Sequence, residues 1–250
     1  MAAEPRGAPD ASRIRRIPWL RVITEGVVIV VSILLAFAVD AWWDQQQLHG
    51  AEQHALRGLQ IDFRANREEL RAVISTHEGY RRDLARLATL TDAELAAVPG
   101  DSVDIYIRAM QGFRTFDARD GNLDALIASG DLELITDARL RDALVEWRGR
   151  IADLSEEAVQ VLSESQRVIE RMGELGGPWR IGVIASSPMA GLTDAMSHFP
   201  RADLRIAAAD QELMARARTK RFLATIYLLE LQALYSHADS VLNLIQADIR

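Results

Sequence analysis

The feature that most constrains this sequence is an uninterrupted apolar run near its N-terminus. Residues 26–39, GVVIVVSILLAFAV, include no charged side chain. As an α-helix they span only ~21 Å, but four more residues at each end bring the length to roughly 33 Å, enough to cross a bilayer. Glu25 and Asp40 then fall near the two interfaces. We therefore predict a transmembrane helix over residues 19–43, preceded by a disordered tail over residues 1–18.

Positive charge is distributed asymmetrically around this span. The first basic residue after it is Arg57, whereas five arginines precede it: Arg6, Arg13, Arg15, Arg16 and Arg21. Excess positive charge stays on the cytoplasmic side. The expected location is a bacterial inner membrane, crossed once, with the N-terminus in the cytoplasm and the remainder, residues 44–250, in the periplasm.

A cleaved signal peptide is the alternative interpretation of the same segment. Ala36-Phe37-Ala38 matches the small-x-small pattern of signal cleavage, so that a cut after Ala38 would release the remainder. Trp42 and Trp43 lie just beyond, where interfacial aromatic residues anchor a membrane helix. The tryptophan pair favours the anchor.

Small and polar residues share one stripe of the predicted membrane helix. Glu25, Ser32, Ala36 and Asp40 fall together at about 100° per residue. Such stripes allow close packing of helices in lipid, so one hypothesis is contact with a second copy or with a partner's transmembrane helix. The alternative is that the two acids simply reach interfacial water.

The sequence after the span has helical periodicity almost throughout. Two positions repeat every seven residues, which predicts a long helix packed in the manner of a coiled coil: Leu56, Phe63, Leu70, His77, Leu84, and Leu59, Asn66, Val73, Tyr80, Leu87. Asn66 and His77 are the polar members of this repeat. In a heptad seam such residues set register and pairing rather than carry chemistry.

Turn and capping signals divide the remainder into further helices. The first long helix should end by Pro99-Gly100, and an irregular loop is expected over about 173–202. The other predicted helices run from Asp101-Ser102 to near Gly112, from Asp117 or Asp120 to Gly130, from Ala138 to Met172 after an Asp137 cap, and from about 203 to 249. No strand pattern of useful length occurs. The expected fold class is all-α, a transmembrane helix continuing into an up–down bundle of three long helices with short connecting helices.

Three segments resemble a family of uncharacterised bacterial single-pass membrane proteins. In that family an apolar span closes on Ala-x-x-x-Asp-x-Trp, matched here by Ala36, Asp40 and Trp42. Residues 115–144 resemble its helix–turn–helix element, and a third similarity lies in the helix after the span, at Leu59, Asp62, Asn66 and Leu70. The resemblance covers roughly residues 25–172. It supports an uncleaved anchor and implies no activity.

No pattern of residues indicates catalysis, a cofactor or a metal. The chain has no cysteine, and its five histidines show no His-x-x-x-His or Glu-x-x-His spacing. Asp62, Asn66 and Glu69 share one helical stripe, which we interpret as a register-setting Asn flanked by solvated acids. Lys220, the only lysine, is expected to be a surface charge. The net charge of −7 argues against nucleic acid as a partner.

Three functions remain open at this level. The first is an interaction or scaffold protein, in which the membrane helix presents a helical bundle to a partner. The second is a sensor-like bundle that binds a ligand between its helices, for which an interhelical pocket is the discriminating feature. The third is a membrane-tethered enzyme without a recognisable motif. We expect the first, with no enzymatic activity and no cofactor.

Overall fold

A computed structural model describes residues 19–176 and 204–249, and within them the chain is all-α, as predicted. The helices are α1 (Trp19–Leu87), α2 (Asp92–Ala97), α3 (Gly100–Gln111), α4 (Gly121–Ser129), α5 (Ala138–Glu174), α6 (Leu204–Ala209) and α7 (Gln211–Asp248), with one turn of 3-10 helix at Asp131–Leu134. The predicted tail, residues 1–18, and most of the predicted loop lie outside the described residues. The chain divides into two compact units, residues 1–50 and residues 51–250.

The first unit contributes the N-terminal part of α1. This is the one helix among the described residues that is long and apolar enough to cross a membrane. None of the side chains in its most apolar stretch is buried within the structure.

Three long helices form the core of the second unit: the part of α1 from residue 51 onward, α5 and α7. The Gln53 side-chain amide donates to the Asp248 carbonyl at 2.9 Å, so α1 and α7 are antiparallel. Arg171 pairs with Asp210 at 2.6 Å, which makes α5 and α7 antiparallel too. It follows that α1 and α5 are parallel. The expectation of an up–down bundle was wrong, because the short elements between α1 and α5 carry the chain back to the start of α1's packed region.

The predicted seven-residue repeats coincide with the buried face of α1. Nine of the ten repeat positions are buried, and Tyr80 is half-buried. One apolar cluster joins the first half of this face to α5 and α7, with the ring centroids of Phe63 and Trp147 4.8 Å apart. A second cluster joins Leu84 and Leu87 to α3 and to the start of α7. The apolar members of the repeat thus build the core of this unit.

Local capping explains most of the helix ends. Asp137 accepts from the Arg139 amide at the start of α5, and Gly130 ends α4 with a φ of 80° that favours glycine. The first long helix ends at Leu87, earlier than the proline signal, and Thr91 forms a capping box with Glu94 to start α2. One helix was expected over about 203–249, but the chain breaks at Asp210, whose carboxylate caps α7 through the Leu213 amide at 2.7 Å.

Candidate functional site

The exposed apolar stretch of α1 is the most prominent surface feature of the first unit. Eleven large apolar side chains between Ile23 and Val39 are each 51–67% exposed. Soluble proteins rarely leave so large a contiguous apolar surface in water. This surface requires lipid, another helix or another protein to cover it.

The predicted stripe lies on this stretch, in helical conformation throughout. All four of its residues, Glu25, Ser32, Ala36 and Asp40, are exposed. The Ser32 hydroxyl donates to the Val28 carbonyl one turn back at 2.8 Å, which satisfies it within its own helix. Helix–helix contact through the stripe therefore remains a prediction.

A row of polar side chains on α1 holds the extended connector, residues 112–120, which joins α3 to α4. The Asn66 side chain binds the backbone of Arg119 twice: its Oδ1 accepts from the amide at 2.7 Å and its Nδ2 donates to the carbonyl at 3.0 Å. Asp62 accepts from the Asn122 amide and side chain at 3.1 and 2.7 Å, just past the end of the connector. The partner of Asn66 is thus backbone, not a polar residue of another long helix.

The other end of the connector is held in the same way. Glu69 pairs with Arg114 at 2.9 Å, and His77 Nε2 donates to the Arg114 carbonyl at 2.9 Å. The acids expected to be solvated beside Asn66 are therefore paired with this segment and with Asn122. The row Asp62, Asn66, Glu69 and His77 acts on one target, the path of the connector.

The position of Lys220 corrects the expectation of a surface charge. Its side chain is only 1% exposed, and its Nζ donates to the carbonyls of Met110 and Gly112 at 2.7 Å and of Ala109 at 3.3 Å. These carbonyls end α3, where helical oxygens lack intrahelical partners. Burial lowers the pKa of Lys220 to about 7, and the carbonyl oxygens oppose that shift because they favour the ammonium form.

His77 lies beside this lysine in a cluster of aromatic rings. Tyr80, Phe113 and Tyr227 surround it, with centroid distances of 5.8, 5.3 and 5.0 Å. Burial lowers the pKa of His77, and burial raises that of Tyr227 to about 12. Because Nε2 donates to a carbonyl, the neutral imidazole leaves Nδ1 bare, and that atom has no hydrogen-bond partner within the described residues. The arrangement favours a neutral histidine packed as an aromatic residue.

Two observations bear on chemistry at this centre. Within residues 19–176 and 204–249, no group of three His, Asp or Glu side chains has the geometry of a metal site. An open groove of about 210 Å³ runs between the connector and α5, lined by Phe113, Phe116, Leu154, Tyr227 and other mainly apolar side chains. The groove is smaller than the ~300–1,000 Å³ of typical small-molecule sites.

Sequence reasoning missed Lys220 and the connector for different reasons. A single lysine in an arginine-rich chain is a signal in retrospect, because a compact ammonium suits a narrow cage of carbonyls better than a planar guanidinium does. The connector has no such signal, because its partners on α1 lie 37–53 residues away in sequence and Tyr227 on α7 lies 111 residues from Phe116.

Comparison of this chain with protein-family models, with curated proteins and with solved structures found no match in any of the three. The resemblance carried by Ala36, Asp40 and Trp42 therefore stays a prediction.

Proposed function

We propose that this chain is a single-pass inner-membrane protein whose periplasmic helical unit binds a partner, with no catalytic role. The exposed apolar stretch of α1 carries the proposal. A bilayer would cover all eleven of its exposed large side chains at once, and Trp42 and Trp43 stand where interfacial aromatics belong. The second unit has its own packed core, and its polar groups on α1 are used to hold the connector rather than arranged around a reaction centre.

The anchor is tested by the intact mass of C-terminally tagged protein recovered from membranes washed in alkaline carbonate. We expect the full-length mass in the membrane fraction. A soluble periplasmic species lacking the first 38 residues would show instead that the segment is a signal peptide cut after Ala38.

Orientation is tested by cysteine labelling, for which the absence of native cysteine is an advantage. Ser240→Cys, at an exposed position on α7, should react with a membrane-impermeant maleimide in cells whose outer membrane has been permeabilised. Ala8→Cys should react only after the inner membrane is lysed. The opposite pattern would overturn the N-in orientation.

Partner choice by the stripe is tested in a bacterial membrane two-hybrid assay. Replacing Ser32 and Ala36 by Leu should abolish self-association or partner association, because larger side chains keep helices apart. Val30→Leu with Ala38→Leu is the matched control on the opposite face. Unchanged association in the stripe variant would remove helix contact through this stripe from the proposal.

A ligand-binding role is the second candidate, favoured by the groove between the connector and α5. Its lining is apolar and aromatic, as expected of a site for a small apolar ligand, but its 210 Å³ volume ranks this candidate below the interaction role. A membrane-tethered enzyme remains the third, with no residue constellation to assign to it.

A further inference from the structure

Four arginines border two neighbouring depressions on the surface formed by α1 and α7. Arg81, Arg82 and Arg221 line an open groove of about 460 Å³, together with the small residues Ala85 and Thr225. Arg218 and Arg221 border a smaller depression next to it. Within the described part of the chain, none of these four arginines forms an ion pair.

This cluster is distinguished by several arginines without an ion pair that border one groove, since single arginines without one occur elsewhere in the described structure, as at Arg57 and Arg64. Eight other arginines of the second unit form ion pairs with Asp or Glu: Arg67, Arg114, Arg139, Arg148, Arg150, Arg167, Arg171 and Arg216. In a chain of net charge −7, acidic partners are not scarce. On the same stretch of α1, Glu78 accepts from Gln232 at 3.5 Å, and Asp83 lines a different groove with Arg86. The four positive charges of the cluster are therefore left without a carboxylate.

Guanidinium groups that border one groove repel one another unless an anion lies between them. The flat guanidinium fork matches the oxygen geometry of phosphate and forms paired, charge-assisted hydrogen bonds with it. Ala85 has too short a side chain to fill the groove, and Thr225 uses its hydroxyl on the Arg221 carbonyl at 2.8 Å. Space and positive charge thus coincide on this surface.

We propose that the groove formed by Arg81, Arg82 and Arg221 binds a phosphate group carried by a small anion. The site goes beyond the interaction role proposed above and does not depend on the membrane anchor. Two sources supply this chemistry, a soluble phosphate compound and the headgroup of an anionic phospholipid. The same three arginines would bind either.

Binding is measured by isothermal titration calorimetry of the full-length protein in dodecyl maltoside. The probes are sodium pyrophosphate, inorganic phosphate and glycerophosphoglycerol, the water-soluble headgroup of phosphatidylglycerol. Arg82→Ala with Arg221→Ala should weaken binding at least about tenfold, and the Lys pair at the same positions by less, because charge is kept and the fork is lost. The matched control, Arg57→Ala with Arg64→Ala, removes two exposed α1 arginines away from the groove and should change affinity less than about twofold.

Each outcome decides the proposal. Tighter binding of pyrophosphate or inorganic phosphate, lost in the groove variant alone, supports it and assigns a soluble ligand. Tighter binding of glycerophosphoglycerol with the same variant pattern supports it and assigns a lipid headgroup. The proposal is overturned if none of the three probes gives a binding heat, or if the control variant loses as much affinity as the groove variant. It is also overturned if hexaglutamate binds as tightly as the phosphate probes, because the groove would then recognise negative charge without preference for phosphate.

Discussion

Lys220→Met should destabilise the helical unit, because Lys220 is the donor to the end of α3. The substitution keeps the length of the side chain and removes the ammonium. Two contacts of 2.7 Å and one of 3.3 Å are lost, and three carbonyls at a helix end are left without that donor. Hydrogen bonds with one charged partner are worth about 1.5–3 kcal/mol each.

Removing the ammonium also removes the free-energy cost of burying it, which offsets part of that loss. Since a buried acceptor left without its partner costs about 1–3 kcal/mol, we expect a net loss of about 2 kcal/mol at pH 7. Urea unfolding of the full-length protein in detergent, followed by circular dichroism, measures it. Arg64→Met, an exposed cation of α1 outside any ion pair in the described structure, is the control and should stay within about 0.5 kcal/mol.

The pH dependence of the free-energy difference between wild type and Lys220→Met tests whether a charge is buried at this position. The native pKa of Lys220 is lowered towards about 7 from 10.5, so between these values the unfolded chain binds more protons than the native protein. Stability contributed by Lys220 therefore rises with pH across this window, by at most about 1.4 kcal/mol per unit, and is lost as pH falls towards 7. The difference in free energy of unfolding between wild type and Lys220→Met should therefore be larger at pH 9.5 than at pH 7. The reasoning would be refuted if this free-energy difference stayed constant or decreased between pH 7 and pH 9.5. It would also be refuted if the variant were as stable as wild type at both pH values.

Two further substitutions test the connector by the same unfolding assay. Asn66→Ala removes both hydrogen bonds to the connector backbone and should cost about 1–3 kcal/mol, whereas Asn243→Ala, exposed on α7, should change little. Gly112→Ala places a Cβ 2.7 Å from the Tyr80 hydroxyl and should cost roughly 1–3 kcal/mol through overpacking. Gly149→Ala, with nothing within 4 Å in α5, should instead stabilise by up to about 1 kcal/mol. Equal effects in either matched pair would contradict the contacts described.

Local signals were sufficient to predict the helices but not their arrangement. The Asp137 cap and the Gly130 stop depend on residues within a turn, and the structure confirms both. The seven-residue repeats mark the face of α1 that is buried, and the coiled-coil packing inferred from them stays a prediction. The break at Asp210 was missed because the segment contains neither proline nor glycine. Its carboxylate caps α7 and also pairs with Arg171 of α5, and this second interaction is invisible to periodicity.

Lys220 shows the same limit at the level of one side chain. Its neighbours Arg218 and Thr219 are polar and exposed, and the prediction of a surface charge followed them. The end of α3, about 110 residues earlier, supplies the carbonyls that its ammonium needs when buried. The helical spacing of Leu213, Ala217, Ala224 and Tyr227 puts Lys220 on the buried face of α7, but nothing near it in sequence identifies the carbonyls that it binds.

The parallel arrangement of α1 and α5 explains why polar residues interrupt the buried face of α1. After α3 the chain must return along α1, and its contacts run from Arg114 at His77 to Asn122 at Asp62. Fifteen helical residues of α1 cover ~22 Å, whereas the eight residues from Arg114 to Asn122 would cover only ~12 Å as a helix, so most of them must be extended to span that distance. An extended segment leaves its backbone amides and carbonyls without helical partners. Asn66 and its polar neighbours on α1 supply those partners. The polar residues that the sequence suggested would set helix register are therefore needed because the connector runs alongside α1.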